Sequence, residues 1–168
     1  MSIEVVVMKR KTINFILSSL AGTITVLALT IAIYATFFHD LLGQFLELSQ
    51  ETITLISRDP VNVGVMLFAN VAHGFLISAV VMWGKFYRPV KAGLAASCVA
   101  FLTELYFCFS QYAIMKTMSI QSAVIDTLMW TFVNFAVGAV VSLILRRDRP
   151  DKTEYQVVWL ALLLSPND

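Results

Sequence analysis

Four long runs of apolar residues, separated by shorter polar stretches, dominate the chain. They cover residues 13–38, 61–84, 92–115 and 121–145. Each run reaches the roughly 20 residues that an α-helix needs to cross a hydrocarbon core of about 30 Å. The pattern therefore predicts an all-α, polytopic membrane protein whose residues 1–149 form a single four-helix transmembrane domain.

Two segments outside these runs have patterns of their own. In residues 39–60 the apolar positions recur at helical spacing, whereas Glu47, Gln50 and Glu51 lie off that stripe. This is typical of an amphipathic helix at the outer surface, or of a lid over the outer mouth of the bundle. Residues 150–168 contain an apolar stretch that is too short to cross the membrane, so we expect a short cytoplasmic or interfacial tail.

The composition excludes a water-soluble protein. The chain is 58% hydrophobic and only 14% charged, whereas soluble domains are roughly 45–50% apolar and about 25% charged. The basic residues before the first run resemble the start of a signal peptide, but the run itself is longer than the roughly 7–15 residues of a signal-peptide core. We interpret it as a signal anchor that is retained.

The positions of the basic residues predict the orientation. Lys and Arg in short loops stay on the cytoplasmic side, and ten of the 12 fall before the first run, between the second and third, or after the fourth. Arg58 and Lys116 are left for the outer side. Both termini are therefore predicted to be cytoplasmic, in a bacterial inner membrane, with membrane lipids as neighbours. The net charge of +1 gives no reason to expect a nucleic-acid partner.

The second and fourth runs contain a common motif. Residues 68–74 and 132–138 share Phe-x-Asn-x-Ala-x-Gly, which aligns Asn70 with Asn134 and His73 with Val137. Such a match predicts a duplicated helical hairpin whose halves are related by a pseudo-twofold axis along the membrane normal.

Polar side chains near the middle of the runs are the candidate functional residues. Counted from the ends of the runs, Asn70, His73, Glu104 and Asn134 fall near the midplane, and Gln111 and Asp126 fall together in an outer polar layer. An ionisable group at the midplane needs a partner inside the protein. We therefore expect Glu104 to pair with His73. The alternative is that these groups only join helices, for which polar contacts contribute about 0.6 kcal/mol on average. Asp126 has the milder interpretation of a helix cap or an outward-reaching side chain.

No pattern predicts a cofactor, a metal site or a known enzyme. His39 and His73 differ in depth by roughly 15 Å, too far to share a haem. Cys98 and Cys108 are separated by about the same distance along one helix, so they cannot form a disulfide. A metal ion held by His73 and Glu104 would have too few ligands to be predicted. Because signatures such as HExxH and GxSxG are absent from the sequence, a non-catalytic role is expected.

Three short stretches carry a resemblance to a known group. They are residues 70–74, residues 91–93, and Asp126 followed by residues 138–141. With them, residues 61–145 resemble small four-span bacterial integral membrane proteins of unknown function. The resemblance implies a four-helix bundle, and it implies no activity because none is assigned to that group.

Two classes of function fit these observations. The favoured class is an accessory or interaction subunit of a larger membrane complex. The alternative is a protein that binds or transports a proton, an ion or a small amphiphile, with Glu104 as the titrating group, His73 as its partner, and Asn70 and Asn134 orienting the ligand. A homo-oligomer is expected in that case, because four helices make a thin wall for a pore. A filled centre favours the first class and a cavity at the midplane favours the second.

Overall fold

The computed structural model describes residues 3–33, 62–114 and 119–148, which are mostly helical, with one described turn at residues 84–88. A single turn of 3-10 helix, Arg146–Asp148, follows the last α-helix. The predicted outer connection 39–60 and the tail 150–168 lie outside the described residues. The four α-helices are α1 (Ile3–Ile33), α2 (Val63–Trp83), α3 (Pro89–Ile114) and α4 (Ile120–Leu145).

All four helices are long and apolar enough to cross a membrane. The membrane-length portions have 26, 21, 26 and 26 residues, close to or above the roughly 20 that a span requires. Within the described ranges no strand occurs. The structure therefore confirms the prediction of an all-α protein with four membrane-length helices. The duplication and the orientation remain predictions.

The helix ends follow local rules that hydropathy does not detect. α1 begins at Ile3, before the predicted start at residue 13, because Lys and Arg are good helix formers and extend the helix beyond its apolar part. α3 begins at Pro89, a residue suited to the first position of a helix. α2 and α4 are capped by polar side chains: Asn62 Oδ1 accepts from the Val65 N–H at 3.1 Å, and Ser119 Oγ accepts from the Ser122 N–H at 3.1 Å.

α4 is the central helix of the bundle. It packs against each of the other three, most extensively against α3, whereas α1 and α3 do not meet within the described helices. The largest fully buried side chains belong mainly to α1, α2 and α4, and they include Val26, Ile77, Val81, Val137 and Val141. The core is therefore organised around α4.

Two glycines allow the closest helix contacts. A Cβ atom placed on Gly138 would lie 2.5 Å from the carbonyl oxygen of Ala92 and 2.6 Å from the Cβ of Ala96, both on α3. A Cβ atom placed on Gly74 would lie 2.5 Å from the carbonyl oxygen of Ser19 on α1. Small residues at such positions increase the van der Waals contact that holds membrane helices together. Gly74 and Gly138 are also the aligned glycines of the sequence motif, and each packs its helix against the preceding one.

One end of the bundle carries all the basic side chains that the structure describes. The Arg10 guanidinium donates to the carbonyl oxygen of Arg147 at 3.3 Å, which places the start of α1 beside the end of α4. The turn between α2 and α3 lies at the same end, and it contains Lys85 in a left-handed conformation with a φ of 53°. The exposed cations at this end are Lys9, Arg10, Lys11, Lys85, Arg88, Lys91, Arg146 and Arg147. We call it the basic end.

Candidate functional site

A hydrogen bond between α2 and α4 lies at the middle of the bundle. His73 Nε2 is 2.7 Å from Asn134 Oδ1, and Asn134 Nδ2 donates to the carbonyl oxygen of Trp130 at 2.9 Å. Because the Asn134 amide nitrogen is already a donor, its oxygen is the acceptor and His73 Nε2–H is the donor. Asn134 is only 1% exposed. Both the nitrogen and the oxygen of this buried amide therefore have a hydrogen-bond partner.

An aromatic contact completes this group. The rings of His73 and Trp130 meet edge to face, with their centroids 6.1 Å apart and an angle of 61° between their planes. Such geometry is favourable for aromatic pairs. We call His73, Trp130 and Asn134 the midplane node. It joins α2 to α4 by one hydrogen bond and one ring contact.

Asn70 does not belong to the midplane node. Its side-chain amide donates to the carbonyl oxygen of Met66 on its own helix at 2.8 Å. Its backbone carbonyl is 3.4 Å from the hydroxyl of Thr23 on α1. Asn70 and Asn134 therefore share a bond to the carbonyl four residues earlier, but only Asn134 reaches another helix through its side chain.

A second polar group lies between α3 and α4, farther from the basic end. Cys108 Sγ is 3.7 Å from Glu104 Oε2 on its own helix and 3.6 Å from Asp126 Oδ2 on α4. Cys108 is fully buried, and the two acids are partly buried. Glu104 and Cys108 share a face because they are four residues apart on one helix. We call these three residues the carboxylate–thiol cluster.

The predicted pair of Glu104 and His73 does not form. His73 bonds Asn134, and Glu104 contacts Cys108. The register between α3 and α4 explains the separation, because Ser97 Oγ donates to the Thr131 carbonyl oxygen at 2.9 Å. Glu104 lies seven residues beyond Ser97, farther from the basic end, and Asn134 lies three residues beyond Thr131, closer to it. The two residues therefore differ in depth by about 15 Å at 1.5 Å per residue.

The outer polar layer also differs from the prediction. Asp126 contacts Cys108 and shares its level with Glu104, so Glu104 belongs to the outer group rather than to the midplane. Gln111 is partly buried on the same helix as Glu104, but the bond that Asp126 makes across the helix interface is to Cys108. Depths counted from the ends of the apolar runs were wrong here because the helices are offset along their axes.

The sequence reasoning missed Cys108 as a candidate. The signal that could have identified it was its position four residues after Glu104 on an inward-facing stripe. Both cysteines are free, as predicted, and Cys98 is exposed whereas Cys108 is buried.

Hydroxyl groups join α1 to α2. The hydroxyls of Ser18 and Ser78 are 3.2 Å apart across the interface. The Thr23 hydroxyl donates to the Ser19 carbonyl oxygen of its own helix at 2.9 Å and also lies 3.4 Å from the carbonyl oxygen of Asn70 on α2. In the part of the chain that the structure describes, every buried side-chain nitrogen and oxygen has a hydrogen-bond partner. The contacts between α1 and α2 hold these two helices together.

The fold and the polar groups define a class: a multi-pass helical membrane protein with a hydrogen-bonded centre. No family model, no curated protein and no solved structure matches the chain. The resemblance of residues 61–145 to small four-span bacterial membrane proteins therefore stays a prediction.

Proposed function

We propose that this protein is a non-catalytic accessory subunit of a membrane complex, located in a bacterial inner membrane with both termini cytoplasmic. The observation that carries the proposal is that the amide of the midplane node is buried and hydrogen-bonded. Its amide is 1% exposed and bonded on both sides, to His73 and to Trp130. A site for a transported ligand would require polar groups that face a cavity or water.

The packing around the node supports the same proposal. Ile77, Val81, Val137 and Val141 have no exposed surface, and Gly74 lies against α1 at van der Waals distance. Close packing of this kind fills the interior at the density of a crystal. The described residues therefore place packed side chains at the level where a transport pathway would need space.

The first two turns of α2 offer a surface for a partner. Every residue from 62 to 69 is exposed, and Phe68 is 74% exposed. Because two turns of a helix present side chains in all directions around its axis, the segment is exposed on every face. Apolar side chains on such a segment suit contact with a helix of another membrane protein, which would bury them by van der Waals packing.

A duplicated hairpin is part of the proposal. Asn70 and Asn134 each bond the carbonyl four residues earlier, and Gly74 and Gly138 each pack against the preceding helix. These matching contacts support descent of the two hairpins from one ancestor. The difference between the halves, the replacement of His73 by Val137 in the second, makes the midplane node asymmetric.

Site-specific photocrosslinking tests the accessory role. A benzoyl-phenylalanine at Phe68, on the exposed part of α2, is expected to give one discrete adduct with another membrane protein when irradiated in the native membrane. The matched control is Phe132, the aligned residue on α4, which is 75% exposed and is expected to label lipid. Lipid adducts alone at both positions would overturn the proposal. An adduct between two copies of the chain would replace it with a homo-oligomer.

The alternative class is binding of an ion or proton. The residues that support it are those of the carboxylate–thiol cluster, rather than His73 and Asn134. The chemistry of that cluster supports a separate inference.

A further inference from the structure

Three potential metal ligands converge at the interface of α3 and α4. The nearest ligand atoms of Glu104, Cys108 and Asp126 all lie within 4.8 Å of one another. One helix supplies two of them from adjacent turns, and the neighbouring helix supplies the third. The convergence is therefore a property of the α3–α4 packing and not of one flexible segment.

The separations fit a small tetrahedral cation. An ion bonded to sulfur at about 2.3 Å and to oxygen at about 2.0–2.2 Å holds those two ligand atoms about 3.5–3.7 Å apart. The Cys108 sulfur is 3.7 Å from the Glu104 oxygen and 3.6 Å from the Asp126 oxygen. The sulfur therefore already lies at the required distance from each oxygen, and the two carboxylate oxygens, within 4.8 Å of each other, would close around the ion.

The balance of donors and acceptors also points to a cation. A thiol carries one proton and can donate to one carboxylate at a time, yet two carboxylates contact the same sulfur. The described Lys and Arg side chains lie at the basic end, away from this cluster. Burying two carboxylates together is costly unless positive charge or protons compensate them.

We propose that Glu104, Cys108 and Asp126 bind a thiophilic divalent cation of the Zn²⁺ type. Binding releases the thiol proton to water, so that one thiolate and two carboxylates hold the dication and a fourth position is left for water or a further ligand. Sulfur in the donor set favours Zn²⁺ over Mg²⁺ and Ca²⁺, which prefer oxygen ligands. The site joins α3 to α4 in the half of the bundle opposite the basic end.

Cobalt substitution provides the direct test. Co²⁺ has unfilled d orbitals, and a thiolate bound to it absorbs in the near ultraviolet, so one band reports the sulfur ligand. Tag-free, chelator-treated protein in detergent is titrated with Co²⁺ and then with Zn²⁺. We expect one equivalent of Co²⁺ to give the thiolate band and Zn²⁺ to remove it by displacement. Mg²⁺ is expected to leave the band unchanged.

Variants assign the ligands. Cys108→Ser is expected to abolish the thiolate band and to weaken Zn²⁺ binding by at least about 100-fold, the upper end of the losses caused by changes in the second shell of metal sites. The matched control is Cys98→Ser on the same helix, since Cys98 is exposed, and it should bind like the wild type. Glu104→Gln and Asp126→Asn are expected to weaken Zn²⁺ binding while far-ultraviolet circular dichroism stays helical.

A second readout does not depend on the variants. Zn²⁺ at a concentration well above its Kd should raise the unfolding temperature of the wild-type protein, because a ligand that binds the folded state stabilises it. The proposal is overturned if the wild type shows no thiolate band and no stabilisation by Zn²⁺, or if Cys108→Ser retains wild-type Zn²⁺ affinity. Neither result bears on the accessory role, which the photocrosslinking experiment tests separately.

Discussion

Replacing Gly138 with alanine is expected to lower the free energy of unfolding by about 3 kcal/mol, the upper end of the usual cost of overpacking. The added Cβ would meet the backbone carbonyl oxygen of Ala92 at 2.5 Å and the Cβ of Ala96 at 2.6 Å. Neither atom is the mobile end of a long side chain, so α3 and α4 must separate to accept the methyl group. That separation weakens contacts along the most extensive helix interface of the bundle.

Gly64→Ala is the matched control for this experiment. Gly64 lies in the exposed first turn of α2, and among the described residues its added Cβ would meet only the Asn62 side-chain oxygen, at 3.5 Å. Alanine favours helix over glycine by about 1 kcal/mol, so this variant should be as stable as the wild type or slightly more stable. Reversible unfolding in mixed detergent micelles measures both. Equal stability of the two variants would show that α3 and α4 do not approach as closely as described.

Replacing Asn134 with leucine is expected to lower the free energy of unfolding by about 2 kcal/mol, within the 1–3 kcal/mol range for a buried polar group left unpaired. Leucine has the same branched arrangement of non-hydrogen atoms and is somewhat larger, so the site stays filled, but His73 Nε2 loses its acceptor. The average cost of losing a polar contact between membrane helices is lower, about 0.6 kcal/mol. The larger value is expected because Asn134 is 1% exposed and water cannot replace the lost bond.

The control for this variant is Asn70→Leu at the aligned position of α2. Among the described residues its amide bonds only within α2, to the Met66 carbonyl, and the lost bond should cost less than about 1 kcal/mol. A double-mutant cycle of His73→Leu with Asn134→Leu isolates the contact, and a coupling of at least about 0.5 kcal/mol is expected. Additive effects of the two substitutions would contradict the midplane node.

The helices could be predicted from the sequence because a membrane-spanning helix needs a minimum length and an apolar composition, and both can be read directly from the sequence. The ends of α1 and α3 could not be predicted in this way, because they depend on helix propensity and not on hydropathy. Lys9, Arg10 and Lys11 end the apolar run but favour helix, so α1 continues back to Ile3. Pro89 begins α3 before the apolar run starts because its ring suits the first helical turn.

The partners of the polar residues could be predicted only within one helix. Glu104 and Cys108 are four residues apart, a spacing that puts two side chains on one face of a helix, and that contact exists. Partners across helices depend on how far each helix is shifted along its axis, and the shift is set by small residues such as Gly138 that are common in apolar sequence. For that reason Glu104 was expected beside His73 and is instead found near Asp126.

The packed centre supports the class of function that the sequence analysis favoured, in which the midplane residues join helices rather than line a site. An ionisable residue in a membrane span is by default a candidate for function. His73 instead donates to an amide that is itself held by Trp130. In the carboxylate–thiol cluster two carboxylates contact one thiol, which has a single proton to share, and the proposed metal site therefore lies there and not at the midplane.

A crystal structure grown from a lipidic phase, at a resolution that shows ordered water, tests the central claim most directly. The account predicts His73 Nε2 in direct contact with Asn134 Oδ1 and no water between α2 and α4 at that level. A water-filled cavity that separates His73 from Asn134, or a bound molecule between them, would contradict the structural role of the midplane node and would favour transport or ligand binding.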